Sequence, residues 1–166
     1  MLQNQIKKWI FPFLLVAGLG TLLHFTYDVS GQNAFVGLFS ATSESTWEHL
    51  KLLFFPMVIY TVYQIFSDKG SSTVIPGNLV ATLIGMLFII VFFYTYTGVL
   101  GRDVAFIDIG LYYVAVILTL WLTCRLQDLY LRFRIVPAIL VTLLFIILFA
   151  VFTYYPPDLG LFQSPL

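Results

Sequence analysis

Charge is scarce in this sequence. Of its 166 residues only 10% are Asp, Glu, Lys or Arg, against about 25% in soluble globular domains, and the mean hydropathy is +0.97. So few charges cannot build a water-exposed surface, which excludes soluble folds, cytosolic nucleotide-binding enzymes among them. The eight basic residues balance the eight acidic ones, so the one-signed field that recruits nucleic acid is absent. A single cysteine, Cys124, cannot close an internal disulfide, and no CxxC or Cys/His spacing of a structural metal site occurs. HExxH, GxSxG and glycine-rich phosphate loops are missing too. Zincin proteases, nucleophile-elbow hydrolases and nucleotide-driven pumps therefore have no motif to rest on.

What the chain has in quantity is apolar length. Five runs cover residues 9–27, 47–66, 75–96, 104–124 and 136–154, each close to the roughly 20 residues that a helix needs to cross a bilayer. They lack the alternation of barrel strands, so the fold class is all-α, a polytopic transmembrane bundle forming one integral membrane domain over residues 1–166. The first run follows Lys7 and Lys8 but meets no small-residue cleavage site, which makes it a retained helix rather than a signal peptide. No internal repeat is visible, and an odd number of spans argues against a simple inverted repeat. Lys7, Lys8, Lys69, Arg125, Arg132 and Arg134 fall on the N-terminal side, against Lys51 and Arg102 opposite. Cytoplasmic loops hold the excess, so the N-terminus is expected inside and the C-terminus outside.

That orientation gathers His24, Asp28, Glu44, Glu48, His49, Lys51, Arg102, Asp103, Asp108 and Asp158 at or near the outer face. An ionisable residue at the bilayer centre costs at least about 2.5 kcal/mol, so such groups face a protein or water interior and mark function. His24 and Asp28 are four apart and share a helix face, where the carboxylate can orient the ring. A site of His24, Asp28, Glu48 and His49 suits general-base or metal chemistry. His24, His49, Glu48 and Glu44 are the candidate ligands of Zn or another divalent transition metal. Glu44 is the outermost member, because a capping Ser45 leaves it outside the helix. The positive end of the following helix opposes a bound cation, although several carboxylates can outweigh it.

The same residues also have a structural reading. Ser45-Thr46-Trp47-Glu48 fits a capping box in which Glu48 reaches back to the Ser45 amide. Trp47 then sits as an interfacial aromatic and Lys51 snorkels outward. Pro56 frees the Leu52 carbonyl and is expected to kink its helix. Gly77, Ala81 and Gly85 form a small-residue stripe for close packing. Arg125, Asp128, Arg132 and Arg134 read as an inner loop with a short helical extension, with Cys124 a small core residue at its edge. The inner halves of the helices are expected to hold no second polar group.

The segments His24-Phe-Thr-Tyr-Asp28, Ser30-Gly-Gln-Asn33, Val36-Gly-Leu-Phe-Ser40, Glu44-Ser-Thr-Trp-Glu-His-Leu-Lys-Leu-Leu-Phe-Phe-Pro56 and Pro156-Pro-Asp-Leu-Gly-Leu-Phe162 carry a resemblance. The whole chain resembles a family of small bacterial multi-pass membrane proteins catalogued as domain of unknown function 6512. The resemblance implies a bacterial cytoplasmic membrane and no particular chemistry. An Asn commonly precedes the Glu-Ser pair in such sequences, and Ser43 replaces it here. A weaker likeness is to intramembrane metal hydrolases of the alkaline ceramidase and adiponectin-receptor type. Those use three histidines; this chain has two, with Glu44 and Glu48 as substitutes, so the likeness is an analogy.

Three functions follow from these residues. The favoured one is a metal-assisted hydrolase or transferase acting on a lipid or lipid-linked substrate at the outer leaflet. The ionisable groups converge there from several separate chain regions. The second is a cation- or proton-coupled transporter using His24, Asp28 and Asp108, for which five helices need oligomerisation to enclose a path. The third is a non-catalytic subunit or assembly factor, with the polar groups tying outer loops together.

Overall fold

The computed structural model describes residues 2–67, 72, 74–127 and 135–165, with side chains described from residue 9 onward and Gln127 excepted. Among these residues the chain is all helical. The elements are α1 (Leu2–Val29), the single turn α2 (Ala34–Gly37), α3 (Thr46–Ser67), α4 (Val74–Leu100), α5 (Ala105–Gln127), α6 (Ile135–Tyr154) and a 3₁₀ turn at Gly160–Phe162. Five helices are long and apolar enough to cross a membrane, one for each run in the sequence. Up-and-down passage brings the ends of α1, α4 and α6 together with the starts of α3 and α5; this is called the histidine end below.

Helix limits differ from the apolar runs where polar groups are satisfied locally. α4 continues past Tyr96 because the Thr95 and Thr97 hydroxyls donate to the Val91 and Phe93 carbonyls at 2.6 and 2.7 Å. It stops at Gly101, whose φ of +70° suits the left-handed residue closing a helix; its amide donates to the Thr97 carbonyl at 2.8 Å.

The core is where α3 lies among its neighbours. Leu50, Leu53, Phe54 and Met57 of α3 pack with Val16 of α1, Met86 of α4 and Ala115 and Val116 of α5. The small-residue stripe makes this possible. Ala81 and Gly85 are buried, and a Cβ on Gly85 would stand 2.0 Å from Thr119 Oγ1 and 3.0 Å from Leu53 Cδ2. At Gly20 a Cβ would meet Tyr112 Oη at 1.9 Å and the Leu52 carbonyl at 2.3 Å. The Leu52 carbonyl is the one that Pro56 frees. Tyr112 Oη lies 3.3 Å from it and 3.2 Å from the Val16 carbonyl, so a neighbouring helix supplies the missing donor.

Two expectations are corrected. The half of the bundle away from the histidine end is not purely apolar. Asn78 Nδ2 donates to Thr61 Oγ1 at 2.9 Å and to Gln64 Oε1 at 2.6 Å, and Gln64 Nε2 to Tyr60 Oη at 3.1 Å. Neutral amides between Leu, Ile and Phe vanish in a hydropathy average, and this hides them from a search for charge. Lys51, counted as an outer-side charge that snorkels from its helix, is instead wholly buried. Of the basic residues placed opposite it, only the Arg125 side chain is among those described, with its guanidinium 5.5 Å from the Trp121 ring. Lys7, Lys8, Lys69, Arg132 and Arg134 lie outside the described side chains, as does Asp128 of the expected inner loop.

Candidate metal centre

α3 begins where Ser45 caps it, the Ser45 Oγ accepting from the Glu48 amide at 3.3 Å. Only this half of the expected capping box forms. Instead of reaching the Ser45 amide, Glu48 Oε2 accepts from the Thr42 amide at 2.8 Å and the Thr42 hydroxyl at 2.9 Å. It also pairs with Lys51 Nζ at 2.6 Å. Lys51 donates further to the Gly37 carbonyl at 2.8 Å and to Thr153 Oγ1 at 2.9 Å. Thr153 Oγ1 lies 3.0 Å from Glu48 Oε1. The expected outward snorkelling of Lys51 is thereby corrected: these oxygens, the Glu48 carboxylate among them, replace water around the ammonium. Trp47 is corrected as well. It is buried rather than interfacial, packed on Phe149, Phe152 and Phe162 at 4.7, 5.6 and 5.0 Å between ring centroids.

Successive helix residues point about 100° apart, so His49 leaves α3 on a different side from Glu48. Its Nδ1 lies 2.9 Å from the Ser45 carbonyl. A carbonyl only accepts, so Nδ1 carries the hydrogen and Nε2 is the nitrogen turned away from the helix. Glu44 Oε2 stands 3.5 Å from that nitrogen. With a proton on Nε2 this contact is an ion pair, and a bound cation would stand in the same place.

His24 approaches from α1, its ring centroid 5.2 Å from that of His49, and its buried Nδ1 has no hydrogen-bond partner. One ligand atom each from His24, Glu44 and His49 lies within 4.8 Å of the others. Tetrahedral zinc with bonds near 2.1 Å sets its ligand atoms about 3.4 Å apart. The His49–Glu44 edge has about that length at 3.5 Å, and the His24 ligand atom lies within 4.8 Å of both.

The residues read from the sequence thus divide into two groups. His24, His49 and Glu44 come together. Glu48 is held in the Lys51 network, with Oε2 fully engaged. Asp28 is exposed and within electrostatic reach of His24. Among the described residues, though, it makes no hydrogen bond to that ring, whose Nδ1 is buried without a partner. Asp108 of α5 accepts a hydrogen bond from Tyr96 of α4 and is within electrostatic reach of His49. Thr42, Thr153 and Tyr96 are partners that the sequence reading passed over. Their signal was weak, since a lone hydroxyl near a helix end has many uses.

A family model matches residues 1–166, that of a family of unknown function, DUF6512. No curated protein and no solved structure matches the chain.

Proposed function

The chain belongs to DUF6512, a family of unknown function, and we propose that it is a membrane-embedded, metal-assisted hydrolase or transferase acting on a lipid or lipid-linked substrate. The observation that carries this reading is His49 Nε2 facing the Glu44 carboxylate at 3.5 Å beside a second imidazole with an unpartnered nitrogen. Two imidazoles and one carboxylate suit Zn or a similar divalent metal, and three protein ligands leave a position for water. A divalent metal held by these three residues would supply Lewis-acid chemistry and a water-derived nucleophile at neutral pH without an activated serine. Asp28, exposed beside His24, is placed to take up a proton. Glu48 acts at one remove. By holding Thr42 it fixes the short segment that carries Glu44, and the Ser45 carbonyl fixes the His49 tautomer.

Elemental analysis after chelator-free purification tests this. Near-stoichiometric divalent metal is expected in the native protein and its loss in His24→Ala and His49→Ala, with weakened retention in Glu44→Gln. Metal-free native protein would overturn the metal-assisted reading and move a non-catalytic subunit or assembly factor ahead of it.

The same reading places the N-terminus inside and the histidine end outside a bacterial cytoplasmic membrane. In a Cys124→Ala background, an impermeant thiol reagent added to intact cells is expected to label Gln163→Cys and spare Ser71→Cys. The opposite pattern reverses the orientation.

A second reading, cation- or proton-coupled transport through His24, Asp28 and Asp108, draws support from the Gln64–Asn78 hydrogen bonds, which supply polar groups in the other half of the bundle. Ion flux in proteoliposomes without bound metal would favour it.

A further inference from the structure

The connection between α1 and α3 carries no charged residue between Asp28 and Glu44, and its middle lies below the helix ends that it joins. The Ser40 hydroxyl donates to the Leu23 carbonyl and accepts from the Tyr27 amide, the latter at 3.0 Å. In an uninterrupted helix those two backbone groups pair with each other. Leu23 precedes the end of α1 at Val29 by about 9 Å along the helix axis. On α3, Phe39 packs against Phe55 with 5.1 Å between ring centroids, and Phe55 stands about two and a half turns past the first residue, Thr46. Residues 34–40 are therefore wedged between spans rather than laid across their ends.

Within a bilayer such a position is open only to backbone whose polar groups are satisfied by protein. Here every amide from Phe35 to Ser40 has an acceptor. Asn33 Oδ1 takes those of Phe35 and Val36 at 2.9 and 3.4 Å, and the carbonyls of Asn33, Phe35 and Val36 take the other four. The Ala34 carbonyl receives the Tyr154 hydroxyl from α6, and the Gly37 carbonyl receives Lys51 Nζ from α3 at 2.8 Å. On an ordinary surface loop water would serve these groups. Gly37 permits the close fit, since a Cβ there would stand 2.9 Å from Thr42 Cγ2 and 3.1 Å from Tyr27 Cε2. Apolar side chains, by contrast, turn outward. Phe35 is 71% exposed and Phe39 is exposed as well, their rings 5.7 Å apart.

We infer that residues 34–40 form a half-inserted membrane element, with Phe35 and Phe39 in contact with lipid acyl chains just beneath the headgroups at the histidine end. Acyl chains are the occupant because the two rings continue an exposed apolar surface of a span: Leu22, Phe25 and Val29 form such a stripe along the same end of α1. The depth agrees, since the apolar face of an interfacial element lies about 5–10 Å into the headgroup and acyl boundary, and Ser40 is bonded to α1 at that distance below its end. The buried Lys51 thereby gains a further role, holding the Gly37 carbonyl where no water reaches it. The inference does not depend on metal at the histidines.

Spin labels on Phe35→Cys and Phe39→Cys, each in a Cys124→Ala background, test this in phosphatidylcholine vesicles. Leu87→Cys on the exposed face of α4 serves as the lipid reference, and Arg102→Cys, exposed in the α4–α5 connection, as the water reference. The quantity read is the ratio of collisions with oxygen, which concentrates among acyl chains, to collisions with a polar nickel chelate, which stays in water. At both positions the ratio is expected to rise from the Arg102 value to near that of Leu87. A ratio closer to the Arg102 value at either position overturns the inference. Low access to both reagents, the mark of a second copy covering the patch, overturns it equally. Phe35→Trp keeps an aromatic ring in place and is the second probe. In a Trp9→Phe, Trp121→Phe background, the emission it adds over the parent is expected to be quenched more by acyl-brominated lipid than by aqueous iodide; the converse ranking overturns the inference.

Discussion

Lys51→Met is expected to cost about 3–5 kcal/mol of folding stability, the effect of removing one partner from a buried ion pair. The reason lies in what stays behind. Glu48 is 3% exposed, and without the ammonium its carboxylate must remain ionised in an apolar bundle or take up a proton. The Gly37 carbonyl and Thr153 hydroxyl also lose their donor. The double variant Glu48→Gln with Lys51→Met removes the charge and keeps an amide oxygen for Thr42; it is expected to recover most of the loss. Reversible unfolding in mixed micelles measures both. A Lys51→Met protein as stable as the native one, or a double variant no better than the single, would mean that the pair contributes little.

Gly20→Ala is expected to destabilise by about 1–3 kcal/mol, the range for forcing a methyl group into a filled interior. The obstacle is backbone as well as side chain, since the new Cβ would stand 2.3 Å from the Leu52 carbonyl and 1.9 Å from Tyr112 Oη. Tyr112→Phe added to Gly20→Ala removes only the second clash, so rescue is expected to be partial. Gly18 provides the internal comparison. It lies on the same helix, and a Cβ added there would have nothing within 4 Å. Gly18→Ala should therefore be neutral or stabilising, alanine being the better helix former by about 1 kcal/mol. Equal effects at the two positions would show that helix propensity, not the α1–α3 approach, sets the response.

Much of the architecture could be read from apolar length because a bilayer admits few alternatives. Pro56 pointed to a free Leu52 carbonyl, and Gly85 to a close helix approach; both are local rules that need no knowledge of the neighbours. The neighbours themselves were not legible. Nothing in the sequence selects Tyr112 as the donor to Leu52, or Thr153, 105 residues away, as a partner of Glu48. The two glutamates near His49 illustrate the difficulty. A helical wheel sets Glu48 beside Lys51 and away from His49, but weighing ligand types alone put Glu48 in the histidine set. Glu44, outside the helix, turns to His49 through a loop conformation that periodicity does not describe.

Thr153 has one more consequence, for how the last helix finds its place. α6 is the most apolar of the five spans and the least enclosed, with only Ala138 and Phe149 buried. Against lipid-like neighbours such a surface slides at little cost, since side chains of one kind replace each other turn by turn. The bonds from Thr153 to Lys51 and Glu48 do not tolerate such sliding. A shift of one turn moves the hydroxyl about 5.4 Å and breaks both. The depth of α6 in the bilayer is thus indexed by the Thr153 hydroxyl together with that of the adjacent Tyr154, which donates to the Ala34 carbonyl, much as a polar residue sets the register of a coiled coil.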